Sequence, residues 1–171
     1  MHHITDAILG ILENLLGTSF YSKCLITLII SMLPVIELRG AIPIGVGILG
    51  LPIYTAALIS IVGNMLPVPF IIIFIRRIFG WMRKKSKRLG ALADRFEKKA
   101  MSKGSSLYKG ELIGLMIFVA IPLPGTGAWT GSLIAALLNI RLKAAMPAIA
   151  IGVLIAGIIV TSITYGFASL F

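Results

Sequence analysis

Four stretches of the chain carry no Asp, Glu, Lys, Arg or His: residues 24–36, 40–75, 112–140 and 144–171, of 13, 36, 29 and 28 residues. A membrane-spanning helix needs about 20 apolar residues, so the first is too short to cross and the second too long. As one helix the second would measure about 54 Å, against a hydrocarbon thickness of ~30 Å. It must break, and Gly45, Gly47, Gly50 and Pro52 mark the place. That leaves a short apolar piece from Ala41 to Leu49 and a full span from Tyr54 to Ile75. The third stretch is cut near its middle by Pro122, Pro124, Gly125 and Gly127, giving two pieces of half a bilayer each.

The same pattern therefore occurs twice: a broken hairpin, then a full span. Hairpin 1 covers 24–53 with a span at 54–75, and hairpin 2 covers 110–140 with a span at 144–170. Ahead of them, Ile4, Ile8, Ile11, Leu12, Leu15 and Leu16 recur at helical spacing with Asp6 and Glu13 elsewhere, which predicts an interfacial amphipathic helix over 4–17. The expected fold is a single all-α integral membrane domain over 1–171, an inverted repeat of re-entrant helical hairpin plus transmembrane helix.

Composition agrees with a membrane protein: 58% of residues are hydrophobic, 13% charged, and the mean hydropathy is +1.02. Of the 16 Lys and Arg residues, 12 lie in 76–109, where Asp94 and Glu97 are the only acids. A basic cluster directly after an apolar run marks a cytoplasmic segment rather than a nucleic-acid surface. With 76–109 inside, hairpin 1 begins and ends outside, hairpin 2 enters from inside and returns at Arg141 and Lys143, and both termini lie outside. The rival arrangement, four ordinary spans, would put Arg141 and Lys143 outside. Within the basic segment Ile78, Met82, Leu89, Leu92 and Phe96 are spaced for a surface-lying helix on anionic lipid. Cys24, the single cysteine, has no partner for a disulfide and no companion ligands for zinc. No P-loop, nucleophile elbow or metal-binding helix is present. Neither an enzyme nor a cofactor or metal is expected.

The candidate site residues sit at the breaks. Glu37, Arg39 and Gly40 occupy the turn of hairpin 1, where an unpaired charge would be costly and an ion pair fits if the backbone is locally extended. Arg39, with the free N–H groups of the helix starting near Ala41, suits an anion, and Glu37 suits proton exchange. The alternative is a structural pair at the membrane surface. The turn of hairpin 2 runs through Pro122, Pro124, Gly125, Thr126, Gly127, Trp129 and Thr130 without a charge. Thr126 is the expected N-cap of the next half-helix. Asn64, mid-span, needs hydrogen-bond partners, either cargo or the carbonyls freed by Pro67 and Pro69. Glu111 suits the start of a half-helix.

Glu37-Leu-Arg39-Gly40-Ala-Ile-Pro43 and Ile121-Pro122-Leu-Pro124-Gly125-Thr-Gly127-Ala-Trp129-Thr-Gly131, flanking one basic segment, resemble the two signature segments of the small multi-drug export protein family. The resemblance covers nearly the whole chain. More distantly the chain resembles the DedA/VTT superfamily, whose members pair opposed re-entrant hairpins and include translocases of phosphorylated lipids. Pro34 and Glu37 match its acidic first hairpin, whereas Thr126 and Gly127 stand where that superfamily carries arginines.

These observations lead to a small proton-coupled secondary transporter, a homodimer in a bacterial or archaeal plasma membrane. Its partners would be membrane lipids, protons and an anionic amphiphile, such as a phosphorylated lipid, bound at a midplane site between the hairpins. Two alternatives remain open: an exporter of cationic drugs with Glu37 as the cation-binding carboxylate, and a non-transporting scaffold whose basic segment recruits a partner.

Overall fold

The computed structural model describes residues 10, 19–85, 90–91, 94–95, 110–123 and 125–168. Seven helices are resolved among them: α1 (Phe20–Met32), α2 (Glu37–Gly47), α3 (Ile53–Met65), α4 (Pro67–Lys85), α5 (Glu111–Ala120), α6 (Ala128–Leu137) and α7 (Leu142–Ala168). The expected interfacial helix over 4–17 lies outside the described residues apart from Gly10, as do Leu89, Leu92, Phe96 and Pro124. Two helical stretches are long and apolar enough to cross a membrane, Ile53–Lys85 and Leu142–Phe167. The chain is all-helical among the described residues, and these long apolar helices fit a membrane protein.

Two compact units divide the chain, 1–64 with 157–171, and 65–156. The first holds the hairpin α1–α2, with α3 and the end of α7. Ser19 caps α1, its side chain accepting from the Ser22 N–H at 3.3 Å. The helix starts at Phe20 rather than Cys24, so it takes in Lys23. It ends two residues before Pro34, whose ring disfavours the helical conformation in Leu33. Ile26 and Ile30 of α1, Ala41 of α2, Leu49 and Leu51 of the connection and Ala56 of α3 form one buried cluster.

Small residues set the spacing in this unit. A Cβ at Gly63 of α3 would strike the Ser31 hydroxyl and come within 2.7 Å of the Leu28 carbonyl oxygen, and one at Gly45 would lie 3.0 Å from the Ala56 Cβ. Tyr54, Leu58 and Val62, on the opposite face of α3, are exposed. Such a ring of outward apolar side chains with small residues inward is the ordinary pattern of helices packed in lipid.

The second unit holds the hairpin α5–α6, with α4 and the first part of α7. Each arm of this hairpin has 10 residues, about 15 Å or half the hydrocarbon thickness. The arms touch through Gly131 of α6, where a Cβ would meet Val119 and Leu115 of α5. Gly152 of α7 approaches the Met116 carbonyl and Val119 in the same way. The long first span is interrupted at Leu66, before Pro67, and the following part, α4, packs along α6. Half of that span thus belongs with the second hairpin. The Arg76 guanidinium donates to the Ile140 carbonyl, which sets Arg141, the next residue, at the level of α4 where the basic segment begins. Ile78 and Met82 continue α4 itself rather than opening a separate helix.

Candidate functional site

The turn between α1 and α2 contains the one buried carboxylate among the described residues. Glu37 opens α2, is 3% exposed and accepts from the Arg39 guanidinium at 3.4 Å. The expected pair therefore forms, but not by the expected route. Glu37 and Arg39 lie in the first turn of a helix that starts at Glu37, not in an extended stretch before a helix starting near Ala41. What lets side chains two apart in sequence meet is the left-handed backbone of Glu37, φ 49°. A non-glycine residue held there costs about 1–3 kcal/mol, which the surrounding packing must sustain. Arg39 remains 20% exposed along its side chain, so its guanidinium reaches the boundary of the unit.

Two further features shape this turn. Gly40 has no side chain because a Cβ would overlap the Ile36 side chain, whose carbonyl accepts the Gly40 N–H at 3.0 Å. Pro43, inside α2, has no N–H to donate to the Arg39 carbonyl one turn back. Asn64 belongs to the same unit. Its neighbour Gly63 packs on Ser31, in the last turn of α1 before the site. Asn64 is 1% exposed and, among the described residues, its Oδ1 has no partner, nor has the buried Ser60 hydroxyl one turn earlier on α3. Carbonyls freed by Pro67 and Pro69 can accept only from the Asn64 amide nitrogen, so this oxygen calls for a separate donor. Ser60 was not a sequence candidate, although its spacing of four from Asn64 places both on one face.

The turn of the second hairpin is closed differently. Gly125 and Gly127 have φ of 85° and 118°, values that only glycine adopts without strain. The N-cap of α6 is Gly127 and no side chain caps it, so the expected capping role of Thr126 is corrected. Thr126 Oγ1 instead turns back toward α5: its single proton is shared between the Ile121 and Leu123 carbonyls, at 2.6 and 2.8 Å, and it accepts from the Leu123 N–H at 3.2 Å. Both carbonyls also accept backbone N–H groups, Ile121 from Leu123 at 2.9 Å and Leu123 from Thr126 at 3.1 Å, so the hydroxyl reinforces a turn the backbone already closes. Trp129 and Thr130 follow in the first turn of α6, both half-buried, and Pro122 is half-buried as well. Thr126→Val should lose about 1–2 kcal/mol of stability while Thr126→Ser loses much less. Unfolding by SDS titration from mixed micelles, followed by circular dichroism, checks it.

Glu37, Arg39 and Gly40 thus share one turn, with Asn64 in the same unit, while Pro122, Gly125, Thr126, Gly127, Trp129 and Thr130 form a separate, uncharged turn in the other. Glu111 opens α5 as anticipated.

Compared with known families, residues 37–159 match the sequence model described as "Putative small multi-drug export protein". The match begins at Glu37 and takes in both turns and the basic segment between them. No curated protein and no solved structure matches the chain.

Proposed function

The chain belongs to this small multi-drug export family, and from that premise we propose that it is a secondary transporter moving an anionic amphiphile, such as a phosphorylated lipid, with proton coupling. Membrane export is what the family and the long apolar helices carry. The finer reading rests on one observation, the buried Glu37–Arg39 pair on a strained turn. Ionisable groups at membrane depth are functional candidates by default. A carboxylate held against a guanidinium can exchange partners: an incoming anion takes Arg39, and Glu37, losing its counter-charge, takes a proton. Departure of the anion restores the pair and releases the proton. Anion and proton then move together without ATP.

In this reading the protein is a homodimer with 76–109 on the cytoplasmic side and both termini outside. The Arg76 bond to Ile140 supports that sidedness, because it brings Arg141 to the level of the basic segment within their unit.

The test is transport of a fluorescent phosphatidylglycerol in proteoliposomes across a series of pH gradients. Glu37→Gln is expected to abolish the pH dependence while leaving the helical circular dichroism unchanged. An unchanged pH dependence refutes the proton role. The family description also favours a second reading, export of cationic drugs with Glu37 as their counter-charge. Raised tolerance to cationic drugs on expression, lost in Glu37→Gln and kept in Arg39→Gln, would put that reading first.

A further inference from the structure

We propose that the apolar groove between α4 and α6 holds one acyl chain of an anionic phospholipid from the surrounding bilayer, with the lipid phosphate on Arg77. The groove lies wholly in the second unit and is independent of the Glu37–Arg39 pair. Its volume is about 500 Å³, and its lining, which includes Phe70, Ile73, Phe74, Trp129 and Leu133, is apolar throughout, Arg77 contributing the stem of its side chain. Phe70 and Phe74 are 72% and 64% exposed. From Pro67 to Arg77 α4 rises about 15 Å, the depth of one leaflet's hydrocarbon.

Two successive arginines divide the work at the end of this groove. Arg76 is turned inward onto the Ile140 carbonyl, where it ties α4 to the end of α6. Arg77 is exposed and lines the groove. Because Arg76 meets the chain just beyond α6, Trp129 in the first turn of α6 stands at the opposite end, away from the charged mouth. The groove is therefore apolar along its length, and the charge of the exposed Arg77 lies beyond the lining at one end, as a phospholipid headgroup lies beyond its chains.

Charge complementarity selects the occupant. The chain carries a formal charge of +10 with six acids in all. Of the three acids described, Glu37 is buried with Arg39, Asp94 pairs with Arg83 at 3.1 Å, and Glu111 is exposed at the start of α5, the one that a second copy could offer. A second copy of so basic a chain is a poor counterpart for Arg77, whereas an anionic headgroup is a good one.

Trp129 itself reports occupancy. The chain has two tryptophans, and Trp81 is exposed with Lys85 over its ring, so Trp81→Phe leaves Trp129 as the sole tryptophan. That variant is reconstituted in phosphatidylcholine vesicles containing a minor fraction of lipid brominated on the acyl chain, either phosphatidylglycerol or phosphatidylcholine. Brominated phosphatidylglycerol should quench Trp129 at about fivefold lower mole fraction, the preference one basic group confers. Arg77→Gln in the same background should remove the preference and Arg77→Lys should keep it. Because Arg77 is exposed, both variants fold. Equal quenching by the two lipids before Arg77 is changed, or a preference that survives Arg77→Gln, overturns the proposal. So does the absence of quenching by either lipid, the result given by a groove covered by a second copy.

Discussion

Replacing Arg39 by alanine is expected to lower stability by about 3 kcal/mol, more than replacing Glu37 and Arg39 together by glutamines. The asymmetry follows from burial. The Glu37 side chain is 5% exposed and the guanidinium is its counter-charge. Removing the guanidinium takes the counter-charge from a buried carboxylate, and that loss costs more than the intact pair contributes. Removing both charges takes away the attraction and the desolvation cost together, so the double variant should recover most of the loss. A double-mutant cycle, read by SDS-titration unfolding in mixed micelles, measures the coupling. Equal losses in Arg39→Ala and in the double variant would show that the guanidinium is already satisfied by solvent, and that the pair has no part in holding the turn.

Gly63→Ala is expected to be of comparable severity, about 3 kcal/mol, the upper end for overpacking. Most added methyl groups meet the flexible end of a side chain, which can rotate away. At Gly63 the added carbon meets the Leu28 carbonyl oxygen at 2.7 Å as well as the Ser31 hydroxyl, and a backbone carbonyl cannot move without its helix. Ser31 also donates to that same Leu28 carbonyl at 2.7 Å, so displacing the hydroxyl breaks a bond inside α1. Gly47→Ala is the control, because nothing lies within 4 Å of the position of its Cβ. The same SDS titration, run on both variants, should separate them clearly. Similar midpoints would mean that α1 and α3 are not held at the spacing described.

The sequence makes the breaks legible because proline and glycine act locally. The interruptions near Gly50–Pro52 and in 122–127 both appear where the breakers stand, and the half-bilayer arms follow from counting. Backbone conformation within a break is less legible. A left-handed residue is most often glycine, yet in the first turn Glu37 takes it, three residues before a glycine whose task is steric. Thr126 has the right residue type and place for a cap, but its hydroxyl is engaged by the backbone of Ile121 and Leu123 and makes no cap bond to α6. The partition of the long span between two units, and Ser60 beside Asn64, depend on which helix faces meet. Mean hydropathy says nothing of that, since inward and outward faces are equally apolar in a membrane.

The ten-residue arms of the second hairpin have a consequence for how the chain enters the membrane during synthesis. Neither α5 nor α6 is long enough to be accepted as a spanning segment by itself. The hairpin therefore depends on α4, made earlier, to offer it a surface, and Gly152 of α7, made later, closes over α5. A nascent chain halted before residue 142 would hold the hairpin with only one side covered, and quality-control proteases would be expected to find it there.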